Sequence, residues 1–108
     1  MTDRRRPPNR RGAIAFQFGH ANQRYRAHVG FFASGAPSEL FLNAINKPDT
    51  TLDAFAADAA ILVSLLLQHG ASVAEIGHAL RRTPNGAAAS LVGAVVDELA
   101  ALAAEGDR

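Results

Sequence analysis

The chain has 108 residues, 48% of them apolar, a formal net charge of +1 and no cysteine. That is the size of one domain with a modest core. The apolar content excludes disorder of the whole chain. The lack of thiols excludes disulfides, thiolate metal sites, iron–sulfur clusters and cysteine nucleophiles.

Residues 1–12 read as a basic arm. Arg4, Arg5, Arg6, Arg10 and Arg11 crowd it, which leaves the remainder acidic on balance. Pro7-Pro8 favours an extended chain. The arm is either a phosphate-binding device or a solvated terminus. No aromatic residue is interleaved to stack on bases.

Residues 13–105 read as one domain. Ala13 to Phe18 places Ile14, Phe16 and Phe18 at alternate positions, the period of a strand with one buried face. Gly19 to Asn22 is turn chemistry. From Gln23 to Phe32 the alternation resumes, with Tyr25, Ala27, Val29 and Phe31 on one face and Arg24, Arg26 and His28 on the other. Ser34 to Pro37 forms a second turn, and Ser38 to Ala44 a third strand with Leu40 and Leu42 inward. Short connections predict an antiparallel meander. Glu39 is expected to neutralise an arginine across the ladder.

The pattern then becomes helical. Thr50 offers an N-cap hydroxyl, and Asp53 sits where the helix dipole favours negative charge. A helix from Leu52 to about His69 follows, closed by Gly70. This is the most apolar stretch of the chain. Leu62, Val63, Leu66 and Leu67 are assigned to its inward side, with Ile61 and Leu65 pointing elsewhere. The helix is expected to be central and buried on more than one side, so that Leu62→Asp or Leu66→Asp would abolish folding. If Ile61 and Leu65 are left uncovered, they form an apolar patch of the kind that marks an interface. Ser72 to Glu75 is a capping box opening a short helix with Val73, Ile76 and Leu80 on one side. Arg81 and Arg82 suit its C-terminal end. A third helix is predicted from Ala87 to about Ala104, with Leu91, Val95, Leu99 and Leu102 on one face. Gly93 lies on its other side, where it permits close approach of another backbone. Strands followed by helices predict an α+β domain: a three-stranded antiparallel meander, then three helices, in two layers on the central helix.

Little catalytic chemistry is visible. The four histidines, His20, His28, His69 and His78, do not repeat at the spacing of a metal site. No serine has a nucleophile-elbow context. Ser64, inside the apolar helix, is expected to bond a carbonyl one turn back. The longest apolar run, Ala59 to Leu67, is shorter than the roughly 20 residues that span a bilayer. No secretory signal is read. The expectation is a cytoplasmic protein without a membrane partner.

Four segments, in order, resemble the TSCPD domain. This module lies near the C-terminus of many bacterial ribonucleotide reductases, chiefly the adenosylcobalamin-dependent ones, and also stands alone. They are Arg6-Pro7-Pro8-Asn9-Arg10-Arg11-Gly12; Gly30 to Gly35 with Pro37-Ser38-Glu39-Leu40-Phe41-Leu42; Ser64 to Ile76; and Val95-Val96-Asp97-Glu98-Leu99 with Leu102. The likeness runs from Arg24 through Leu102, with the basic entry before it. The namesake segment of the family carries a cysteine in many members and this chain has none, so no cysteine-based role carries over.

The resemblance implies a stand-alone module related to ribonucleoside-diphosphate reductase. Ribonucleotide reduction needs a large barrel and several thiols, so the chain alone is not expected to be the catalyst. An accessory, nucleotide-binding or assembly role in deoxyribonucleotide synthesis is expected instead. Adenosylcobalamin belongs to the full-length relatives, and no cofactor is expected here. Glu39, Ser64, Gln68 and Asp97 match the family's polar positions and are the candidate binding residues. The expected partners are a reductase subunit or a nucleotide, with a homo-oligomer formed through the helical layer. The alternative is a small homodimeric nucleic-acid-binding protein using the arginine arm with Arg24 and Arg26.

Overall fold

A computed structural model describes residues 12–106. It contains β1 (Ala13–His20), β2 (Gln23–Phe31), β3 (Pro37–Ala44), α1 (Thr51–Gln68), α2 (Val73–Ala79) and α3 (Leu91–Gly106). The fold is α+β, an antiparallel sheet in the order β1-β2-β3 followed by three helices.

The β1–β2 turn is tighter than the glycine suggested. His20 pairs with Gln23, and the two residues between them, Ala21 and Asn22, both have positive φ, at 50° and 65°. That is the mirror-image turn that matches the twist of the flanking strands. Alternation along β2 and β3 is as the sequence predicts: Tyr25, Ala27, Val29, Leu40, Leu42 and Ala44 are buried, while Arg24, Arg26 and His28 are exposed. On β1 the inward face is less covered, and Ile14 remains 39% exposed. The expected ion pair across the ladder does not form. The register sets Glu39 opposite Gly30, and Arg26 opposite Asn43.

α1 starts at Thr50, whose hydroxyl accepts from the Asp53 amide at 3.1 Å. It ends at His69, with Gly70 at φ +104°. α2 has the predicted capping box, with Ser72 and Glu75 bonded reciprocally. α3 begins four residues later than the sequence suggested. The segment before it folds back as a bridge between Arg82 and Ala88. Ser90 then accepts from the Gly93 amide at 3.2 Å, as an N-terminal cap does. Gly93 is buried, and a Cβ there would sit 3.1 Å from the Ala88 side chain, so the folded-back segment explains the glycine.

The core joins Phe18, Tyr25, Val29, Leu40 and Leu42 of the sheet to Ala56, Ala60, Val63 and Leu67 of α1 and Leu91, Val95, Val96 and Leu99 of α3. The Phe18 and Tyr25 rings stack at 5.4 Å. The expected orientation of α1 is corrected here. Val63 and Leu67 are buried, at 3% and 4% exposure, whereas Leu62 and Leu66 stand 62% and 49% exposed. Leu62 and Val63 lie about 100° apart around a helix, so the core admits one of each adjacent pair. α1 is long and apolar enough by composition to cross a membrane, with only a third of it buried inside the protein.

Candidate interaction surface

The rotation of α1 follows from its polar residues. Asp53, Ser64 and Gln68 are spaced by eleven and four residues, which brings all three within about 60° of one another around the helix. Each reaches β3. The Ala44 amide donates to Asp53 Oδ1 at 2.8 Å, the Leu40 amide donates to Ser64 Oγ at 2.8 Å, and Gln68 Nε2 donates to the Ser38 carbonyl at 3.1 Å. The single hydrogen of the Ser64 hydroxyl has two carbonyls in reach, Ala60 at 2.8 Å and Leu40 at 3.1 Å. The first is the expected bond one turn back.

Ser38, Leu40 and Ala44 are alternate residues of β3 whose backbone groups point away from β2. The Ile45 amide, one position out of step with them, donates instead to the Arg24 carbonyl of β2 at 2.9 Å. An open strand edge presents such groups as a template for pairing with another chain. Here α1 lies along that edge and its side chains bond outward groups of Ser38, Leu40 and Ala44. Ala56, Ala59 and Ala60, all buried, allow the helix to lie close.

Three of the four residues that the resemblance singled out, Glu39, Ser64 and Gln68, do come together. They line a shallow pocket of about 150 Å3 with Phe41 and Ile61. Two of the three are bonded to the protein's own backbone, and Gln68 is 5% exposed. The arrangement holds a helix on a strand. It has no pair of groups poised for proton transfer or nucleophilic attack. Beside it, the Ser38 hydroxyl is fully buried with no hydrogen-bond partner. An unsatisfied buried hydroxyl costs about 1–3 kcal/mol. Ser38→Ala is thus expected to leave thermal stability unchanged or raised by about 1 kcal/mol, read as denaturation midpoint. A clear loss would mean that the hydroxyl is bonded.

Asp97 lies elsewhere. It forms a two-pronged pair with Arg82, at 2.6 and 2.7 Å. These bonds hold its carboxyl below the usual carboxylate range and push the Arg82 guanidinium up. The pair stands beside a groove of about 290 Å3 between α2 and α3, lined by Val73, Gly77, His78, Val96 and Ala100. It ties the segment after α2 to α3, and both side chains are exposed. Such pairs contribute little in water.

Arg4, Arg5, Arg6, Arg10 and Arg11 lie outside the described residues. Arg24 and Arg26 stand exposed in a row with His28 on the outer face of β2. Among the described residues no three His, Asp or Glu side chains gather as a metal site would require.

Leu62 and Leu66, expected to face the core, instead stand in the most conspicuous feature of the surface, together with Ile61, expected to point elsewhere. Opposite the seam with β3, α1 carries Phe55, Leu62 and Leu66 at 57%, 62% and 49% exposure. Ile61, at 51%, and Phe41 of β3, at 54%, extend this ribbon along one side. Leu65, half-buried, lies between, and the outer turns from Leu62 to His69 border a shallow depression of about 400 Å3. Scattered exposed apolar residues are ordinary; a contiguous row on one helix is a candidate interaction surface. A signal for it was present in the sequence: once Asp53, Ser64 and Gln68 face the strand, Phe55, Leu62 and Leu66 must face away. Comparison with known protein families, with curated proteins and with solved structures finds no match to this chain.

Proposed function

We propose that the chain is a stand-alone, TSCPD-like accessory module of ribonucleotide reduction. In this reading it is cytoplasmic, does not catalyse alone, and works by docking to protein. The family likeness supplies the link to the reductase. The observation that carries the mode of action is the exposed ribbon of Phe55, Ile61, Leu62 and Leu66 beside Phe41. The polar residues that a ligand site would use, Ser64, Gln68 and Asp97, are bonded within the fold. A nucleotide would have to displace those bonds, so docking is favoured over nucleotide binding. The test is direct binding to a purified adenosylcobalamin-dependent ribonucleotide reductase. Binding should persist at moderate salt and fall at least tenfold in Leu62→Glu/Leu66→Glu. Absence of binding by the wild-type chain would overturn the reading.

A second reading, nucleic-acid binding, is favoured by the exposed row of Arg24, Arg26 and His28. With the arginines of the arm added, its affinity would fall steeply with salt, because each neutralised phosphate releases counterions. Salt-resistant binding to the reductase separates the two.

A further inference from the structure

We propose that the α1 ribbon is the interface of a homodimer, in which two copies pack antiparallel about a two-fold axis near Leu62. This rests on the reading of the ribbon as a protein-docking surface; a second copy and the reductase would compete for it, the copy occupying it when the chain is alone.

Three observations point to a second copy. The first is area. A fully exposed side chain of this size presents about 200 Å2, so Phe41, Phe55, Ile61, Leu62 and Leu66 together expose on the order of 500 Å2. Two facing copies remove at most about 1,000 Å2 from these side chains, before Leu65 is added, which is the lower threshold for a specific interface.

The second is composition: no described segment lies over the ribbon, and the rest of the sequence offers little apolar surface. Outside the described span, residues 1–11 and 107–108 hold six arginines and one large apolar side chain, Met1, besides Pro7 and Pro8.

The third is charge. α1 has no lysine or arginine, and its two acidic residues are Asp53 and Asp58. Asp53 is turned to β3, where it accepts from the Ala44 amide. Only Asp58 lies along the ribbon. With the axis at Leu62, Asp58 of one copy falls beside Leu66 of the other. The two Asp58 positions are then separated by about 12 Å along the helices, beyond the screening distance of about 8 Å in physiological salt. Leu62 meets Leu62, and Phe55 packs over the last turn of the opposite helix. Self-association thus keeps the two Asp58 carboxylates apart, each set beside an apolar Leu66 of the other copy. It has the self-complementarity that a two-fold interface requires.

The absence of cysteine supplies a direct test. Leu62→Cys and Phe55→Cys each introduce the only thiol in the chain. At the axis, Leu62→Cys should oxidise to a covalent dimer at least tenfold faster than Phe55→Cys, whose equivalent positions lie about 21 Å apart. Sedimentation at tens of micromolar should give the wild-type chain twice its 11.4 kDa mass. Leu62→Glu/Leu66→Glu should sediment as a folded monomer with an unchanged circular dichroism spectrum. If that variant fails to fold, the cysteine pair still decides. A monomeric wild-type chain, or equal oxidation rates at the two positions, overturns the dimer. A monomer that binds the reductase through the ribbon overturns the dimer and leaves the docking reading in place. A monomer that binds lipid vesicles through it overturns both. A dimer with no affinity for the reductase supports this inference and removes the other.

Discussion

Val63→Asp is expected to abolish folding, while Leu66→Asp leaves a cooperative thermal transition close to that of the wild-type chain. The two side chains are three residues apart on one helix and similar in character. They differ in where the seam with β3 turns them: Val63 is 3% exposed and Leu66 is 49% exposed. A carboxylate at Val63 would sit among Ala60, Leu67 and the apolar side chains of the sheet and α3, with no basic partner in the core. Burial of an unpaired charge removes at least about 4–5 kcal/mol, comparable with the whole stability of a domain this size. A carboxylate at Leu66 meets water and should change stability by less than about 1 kcal/mol. The melts are best compared at low protein concentration, because loss of a dimer lowers apparent stability by mass action. Equal melts for the two variants, or a folded Val63→Asp, would mean that α1 presents a different face to the core.

The second large effect belongs to the seam itself. Asp53→Ala/Ser64→Ala removes the acceptors for the Ala44 and Leu40 amides at once. Each amide left unpaired in a partly covered position costs about 1–3 kcal/mol. The double variant should lose about 3–5 kcal/mol, including the favourable charge of Asp53 at the helix N-terminus. In a domain of this length that lowers the melting temperature by more than about 12 °C. Its edge groups would then be free to pair with other chains, so aggregation on heating should increase as well. A loss below about 1 kcal/mol would show that water replaces both side chains without cost.

Much of the architecture is legible in the sequence. Alternation in Tyr25, Ala27, Val29 and in Leu40, Leu42 names the inward face of two strands because a sheet repeats every two residues. Thr50, Gly70 and the Ser72–Glu75 box mark helix ends by local chemistry, and the observed caps use those residues. The facing of α1 was not legible in the same way. Its apolar residues come in adjacent pairs, Leu62-Val63 and Leu66-Leu67, and an apolar count cannot say which member of a pair is inside. The answer depended on Asp53, Ser64 and Gln68 meeting backbone groups of a strand more than twenty residues away for two of the three. The start of α3 was missed for a related reason. Ala87, Ala88 and Ala89 favour a helix, but the bridge from Arg82 to Ala88 holds that segment extended until Ser90. The resemblance singles out Glu39, Ser64, Gln68 and Asp97 together, whereas the assembled geometry puts Asp97 on Arg82 and assigns Ser64 and Gln68 to the seam.

The central claim is that α1 closes the β3 edge with side chains and turns its apolar ribbon outward. Hydrogen exchange of individual amides tests it most directly. The Leu40 and Ala44 amides point away from β2 and are bonded only to Ser64 and Asp53. In β1, the alternation set by the His20–Gln23 turn leaves the Ala15 and Gln17 amides on the opposite, open edge of the sheet. The account predicts that Leu40 and Ala44 exchange at rates close to the slowest core amides, while Ala15 and Gln17 exchange at least a hundredfold faster. Equal, fast exchange at all four would contradict it.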